Sequence, residues 1–222
     1  MTLRNRLTFI TSIILATLIN TQTVQAQPPA GRPAPPAPVP LLFKETWKLL
    51  PESVTLTTEH VTNPALTMTL YGKDHELSPA SGTPHIWTGV CNPACGVGLK
   101  LKDSYADLSG RAHIMWHSRT SGYHQIRPLL KLADGRLVVG DFADENPYEY
   151  RQVDFNLAQL RWLLLDPAAL VTKGVFLTDV DLSKVDEVGF IDLTPGSGHG
   201  FGGYSTVGNF EVYGKAVARA GK

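Results

Sequence analysis

The chain has 222 residues and a formal net charge of +0, with 20 basic and 20 acidic side chains. A near-neutral chain with no basic stripe offers no long-range attraction for nucleic acid or for an anionic membrane surface. The length suits one medium-sized domain with a core of its own.

In chain order, residues 1–26 read as an export signal. Arg4 and Arg6 form the positive start, Leu7 to Ile19 the apolar run, and Val24-Gln25-Ala26 a small-x-small cleavage signal before Gln27. The alternative, a membrane anchor, needs a longer apolar run. The residue directly after the cleavage point is Gln27 and not a cysteine, so lipid anchoring is not indicated. The mature protein is therefore expected to be secreted or periplasmic, without membrane insertion. Residues 27–40, with PPAGRPAPPAPVP, form a Pro-rich linker of extended character. The folded domain is expected over residues 41–215, with 216–222 a polar C-terminal tail.

Leu41 to Trp47 opens the domain as a strand or a short helical turn. Val54, Leu56 and Thr58 alternate with Thr55 and Thr57, and Leu66, Met68 and Leu70 alternate with Thr67, Thr69 and Tyr71. Both stretches carry strand signals. Cys91 and Cys95 stand in CNPAC. The exported setting permits a disulfide between them, and a metal site would need two further ligands that are not nearby. So short a closed loop would shape the chain locally more than stabilise it globally.

The region from Arg111 to Phe142 predicts a three-stranded meander. Ile114 and Trp116 are apolar at even positions, as are Ile126, Pro128, Leu130 and Leu132. A three-residue loop, Thr120-Ser121-Gly122, would pair Arg119 with Tyr123 and His117 with Gln125. Asp134-Gly135 would form a two-residue hairpin pairing Leu132 with Leu137 and Leu130 with Val139. One face would then carry His117, Arg119, Tyr123, Gln125, Arg127 and Lys131. Val153 to Leu165 reads as further strand, ended by Asp166-Pro167. Val185 to Phe190 and Phe210 to Tyr213 are two more strands, joined by a Gly-rich turn over 194–208.

Taken together, RWLLLDP at 161–167, DLSKVDEVGF at 181–190 and the closing FEVYGK at 210–215 resemble the galactose-binding-like β-sandwich modules. GYHQIRPLLKLADGRLVVGD also resembles bacterial exported proteins of this shape. The resemblance covers about Asp107 to Lys215. It implies an all-β, antiparallel two-sheet jelly roll that holds ligands on loops or on one sheet's open face. It also implies a structural calcium held by an early and a late acid, for which Glu45 and Glu211 are placed. Calcium wants six to eight oxygens, so two carboxylates are an incomplete set. No other cofactor is expected.

The chemistry of the remaining motifs is spare. His113 and His117, four residues apart on a strand, lie too far apart to share an ion. There is no G-x-S-x-G elbow, and GSGHGFGG lacks the Lys and the strand-to-helix setting of a phosphate loop. Asp141, Asp144, Glu145 and Glu149 supply carboxylates, but none is marked out as a tuned pair. The polar face is the candidate ligand site. Tyr123 could stack on a sugar ring, while His117, Arg119, Gln125 and Arg127 could bond hydroxyls or a carboxylate. An ordinary solvated sheet face is the alternative. If that face is not the site, the glycine-rich loop around His199 and Tyr204 is the next candidate. The expected function is a non-catalytic module binding a carbohydrate-like ligand. A glycan-active enzyme with loop carboxylates and a structural or protein-interaction domain are the rivals.

Overall fold

The computed structural model describes residues 36–48, 56–72, 76–79, 85–90, 94–145, 149–193 and 203–219. The export signal, Cys91 and His199 lie outside these. The first strands are β1 (Leu41–Glu45), β2 (Leu66–Tyr71), β3 (Glu76–Pro79), β4 (Ile86–Val90), β5 (Cys95–Leu101), β6 (Ser104–Asp107), β7 (His113–Thr120) and β8 (Gln125–Leu132). The others are β9 (Leu137–Gly140), β10 (Asp144–Glu145), β11 (Arg151–Asn156), β12 (Trp162–Asp166), β13 (Val171–Leu177), β14 (Val185–Asp192), β15 (Ser205–Tyr213) and β16 (Lys215–Ala218). Short 3-10 turns at Thr58–His60 and Leu157–Gln159 complete the regular structure among the described residues. Thr58 thus belongs to a turn capped by Thr57, not to the strand that alternation over 54–58 predicts.

Two antiparallel sheets form a β-sandwich. The smaller runs β11-β7-β15-β4-β3, with β1 also on β15. The larger runs β13-β12-β9-β8-β14-β5-β2, with β10 on β8 and β6 on β14 and β16. The chain passes repeatedly between the two sheets, at β1 to β2, β2 to β3, β4 to β5, β6 to β7, β7 to β8, β10 to β11, β11 to β12, β14 to β15 and β15 to β16, the crossovers of a jelly roll. Alternation places Ile114, Trp116, Phe210 and Val212 inward from the smaller sheet. Val97, Leu99, Ile126, Leu130 and Phe190 meet them from the larger. Phe190 bridges the layers, with ring centroids 6.3 Å from Trp116 and 5.9 Å from Phe210. Fully burying each such side chain contributes about 1.5–3 kcal/mol.

Where sheets pack and strands pair this closely, small residues are required. A Cβ on Gly189 of β14 would stand 1.7 Å from Val97 O on β5. Gly98 leaves room for Tyr71 on β2 to reach across β5 and donate to Glu187 on β14.

Polar groups close one end of the interior. Asp192 accepts from Thr88 Oγ1 at 2.9 Å and Ser205 Oγ at 2.5 Å, and meets His124 Nδ1 at 2.7 Å. Asp144 accepts from Trp116 Nε1 at 3.3 Å, from the Ser118 hydroxyl, and from Arg151 Nη2 at 2.6 Å. These bonds offset the cost of burying two carboxylates, and they stitch the sheets together.

Three expectations are corrected. First, β7 and β8 do not pair, because they belong to different sheets. Their apolar faces meet the core from opposite sides, which satisfies the same even-number alternation as a hairpin would. Second, the Asp134-Gly135 hairpin is wider than two residues. Leu132 N donates to Arg136 O at 2.9 Å, Gly135 has φ +89, and Asp134 Oδ1 holds Arg136 N at 2.9 Å. Lys131 therefore opposes Leu137, and Leu130 opposes Val138. This one-residue change turns Leu137 and Val139 to the outer side. Third, residues 216–219 are not part of a tail. β16 pairs with β6, and Arg219 binds Asp186 at 2.6 Å and stacks on Tyr105 at 4.2 Å.

Candidate functional site

The outer face of the smaller sheet carries the odd-numbered side chains of β7 and their partners. His117 opposes Gln152 on β11, and Met115 opposes Asp154. Arg119 opposes Thr206 on β15, which in turn opposes Trp87 on β4. Trp87, Thr206 and Arg119 thus lie side by side across three strands.

Around Arg119 the face becomes aromatic. Its guanidinium carbon lies 5.2 Å from the centre of the Tyr150 ring and 4.9 Å from that of Tyr204. A cation held against two rings is attracted by both quadrupoles. Tyr150 also bonds the Thr206 side chain and meets the His85 ring edge-on at 5.5 Å. Burial pushes the Tyr150 hydroxyl above its ordinary range, against the Thr206 bond and the Arg119 charge, which pull it down. Arg119 Nε is buried and makes no hydrogen bond among the described residues.

Tyr204 is held here by the corner that carries the chain out of β7. Ser121 N donates to Tyr204 O at 2.8 Å, and Tyr204 N donates to Ser121 Oγ at 3.1 Å. Gly203, at φ +99, makes this approach possible, since a Cβ there would stand 2.6 Å from Ser121 O. Tyr123 projects from the same corner and is 75% exposed.

The five ligand residues expected from the sequence are therefore divided. His117 and Arg119 share the smaller sheet's outer face, and Tyr123 stands at the corner. Gln125 and Arg127 begin β8, on the larger sheet. Arg127 is only 4% exposed. It donates from Nε to Leu193 O at 2.9 Å, from Nη1 to Gly140 O and Asp141 O at 3.2 Å, and from Nη2 to Gln125 Oε1 at 3.0 Å. Its donors are spent inside the protein. In their place the fold brings in Trp87, Tyr150 and Tyr204. Trp87 flanked by the inward Ile86 and Thr88 was a usable sequence signal, and Tyr204 belonged to the second-choice loop. Nothing in the sequence pointed Tyr150 at Arg119.

Farther along the face, Glu211 pairs with Lys44 Nζ at 2.8 Å and accepts from Tyr213 OH at 2.6 Å. Burial tends to raise the Glu211 carboxyl, but the Lys44 and Tyr213 bonds outweigh it and hold the group below the usual carboxylate range. His113 stacks on Tyr213 at 4.2 Å.

Glu45 and Glu211 do not form a joint calcium site. Lys44 opposes Glu211 and Glu45 opposes Phe210, so the two carboxylates point to opposite sides of their strands. Glu45 is buried and accepts from Trp47 N and Thr62 N at 2.8 Å, Thr62 Oγ1 at 2.6 Å and Asn63 N at 3.0 Å. Its oxygens face donors, the reverse of what a cation requires. Asp144, one of the carboxylates available to a glycan-active enzyme, lies in the interior and not on a loop rim.

No family model and no curated protein matches the chain. Among solved structures, it is similar to the family 11 carbohydrate-binding module of a cellulosomal cellulase of Clostridium thermocellum. That match has 16% identity, covers 81% of this chain and 97% of the module, and has a TM-score of 0.45. The module in complex with a β-1,3-1,4-mixed-linked tetrasaccharide matches at 15% identity over 77% of this chain and 96% of its own, with a TM-score of 0.42. Arcelin-5, a lectin-like defence protein of Phaseolus vulgaris, matches at 15% identity over 69% of this chain and 100% of its own, with a TM-score of 0.31.

Proposed function

We propose that this protein is an exported, non-catalytic module that binds a carbohydrate-like ligand on the outer face of its smaller sheet, in the periplasm or outside the cell. The observation that carries this reading is Arg119 held between Tyr150 and Tyr204, in register with Thr206 and Trp87. Aromatic rings offer flat apolar surface to the C–H face of a sugar, and a pre-positioned guanidinium offers fixed donors to its hydroxyl or carboxylate edge. His117 and Gln152, opposed on the adjacent strands, extend the set of hydrogen-bonding groups.

A glycan array followed by calorimetry tests this. Arg119→Ala and Tyr150→Ala should each cost about 1–3 kcal/mol in affinity for whichever glycan binds. Full binding by both variants would remove this face from consideration. Cleavage of a bound glycan, lost on changing a single carboxylate, would replace the binding reading with an enzymatic one. Capture of a protein partner without any glycan binding would replace it with an interaction domain.

A further inference from the structure

β11 is the edge strand of the smaller sheet, and beyond Gln152 it presents Asp154 and Asn156 on the outer side. These two, with Asp141, Phe142 and Gln159, surround a cavity of about 380 Å³ backed by Phe155 and Leu160. That is the small end of the range for ligand sites, roughly 300–1,000 Å³, and suits one or two rings.

The lining is of two kinds. Phe142 is 60% exposed and meets the buried Phe155 edge-on at 5.9 Å, so folding has left an aromatic face in water against a firm backing. The polar groups differ in how far they are engaged. Asp141 is neutralised by Arg161, which donates from N at 2.9 Å and Nε at 2.8 Å. Asn156 Oδ1 is occupied by Ala158 N at 3.2 Å, which leaves its amide NH2 as a donor. Asp154 and Gln159 make no side-chain hydrogen bond or ion pair among the described residues. The cavity therefore offers a flat apolar wall, one open carboxylate acceptor, two amides and one uncompensated negative charge.

The geometry points to a second carbohydrate site in this cleft, for one neutral pyranoside unit. The sugar's C–H face would lie on Phe142 and its hydroxyls would donate to Asp154 and exchange bonds with Gln159 and Asn156. The Asp154 charge disfavours a carboxylated or phosphorylated sugar. This site stands independently of the Arg119 face, whose charge has the opposite sign.

The test titrates methyl β-glucoside, methyl β-galactoside, methyl α-mannoside and methyl β-glucuronide into the whole chain, read by saturation-transfer NMR and calorimetry. At least one neutral glycoside should bind, and the glucuronide should bind roughly tenfold more weakly than the glucoside. Phe142→Ala should lower the neutral affinity by roughly tenfold or more without shifting the melting temperature, because the ring is mostly exposed. Asp154→Asn should weaken the neutral ligand and narrow the gap to the glucuronide. Binding of no neutral glycoside, a wild-type response from Phe142→Ala, or a glucuronide that binds as well as the glucoside each overturns the inference. Arg119→Ala run in parallel separates the two sites. Loss there with binding kept in Phe142→Ala sinks the cleft and leaves the Arg119 face standing, and the reverse pattern does the opposite.

Discussion

Arg119 and Arg127 compare the two outer faces of the sandwich on one chemical group. Both point away from the shared core, one from each sheet. Arg119 rests on two tyrosine rings with its Nε unbonded among the described residues. Arg127 donates to three backbone carbonyls and a glutamine side chain. Around Arg127 the larger sheet's outer side is closed. Leu129, Leu137, Val139, Leu165 and Ile191 form a second apolar cluster there, and Glu187 is buried under bonds from Tyr71 and Lys131. An outward position in a strand is thus no guarantee of contact with solvent. The Arg127 guanidinium is used up in holding the fold, whereas the Arg119 guanidinium leans on ring faces rather than on carbonyls.

The largest expected effect separates these two arginines. Arg127→Ala should cost about 1.5–3 kcal/mol of stability, because it leaves buried carbonyls without their charged donor. Arg119→Ala should cost less than about 1 kcal/mol of stability, the scale of an exposed cation–π contact, while lowering the affinity for a bound glycan by about 1–3 kcal/mol. Urea denaturation of both variants measures the difference, and equal losses would dissolve the contrast between the faces.

A smaller effect follows from Glu211 on the open face. Its folded pKa is depressed, so its contribution is complete above the unfolded pKa and disappears as pH falls through the folded one. The wild type should lose about 0.2–1 kcal/mol from this pair on acidification below the ordinary carboxylate range, a modest amount because Lys44 is partly exposed. Thermal melts of Glu211→Gln against wild type across that window should converge as pH drops. Melts that stay parallel at every pH would show that the Lys44 pair contributes nothing.

The smallest effect concerns neither face. Mass spectrometry of protein from an oxidising compartment should find Cys91 joined to Cys95, and reduction should move the melting temperature little, because the loop is short. Two alkylatable thiols in that material would rule the bond out.

Much of the local structure was legible in the sequence. The alternation of Leu66, Met68 and Leu70 with Thr67, Thr69 and Tyr71 placed β2 and its inward side. Ile114 with Trp116, and Ile126 with Leu130, did the same for β7 and β8. The all-β class, the antiparallel sandwich and the pairing of His117 with Arg119 on one face were available from such patterns. One warning was present too. Leu129 beside Leu130 breaks the polar set of odd positions in β8, and both leucines are buried, on opposite sides of the sheet.

Which sheet each strand joins was decided only by the tertiary structure. A period of two tells which side chains face the core, but two sheets face the same core, so β7 and β8 satisfy it equally well as neighbours or as opposing layers. The same freedom hid the candidate site. Trp87, Tyr150 and Tyr204 lie on separate segments, and only the register of β4 and β7 on β15, with the Ser121–Tyr204 corner, brings them to Arg119. Side-chain alternation is a local property of the backbone, whereas sheet membership depends on contacts between residues far apart in the chain.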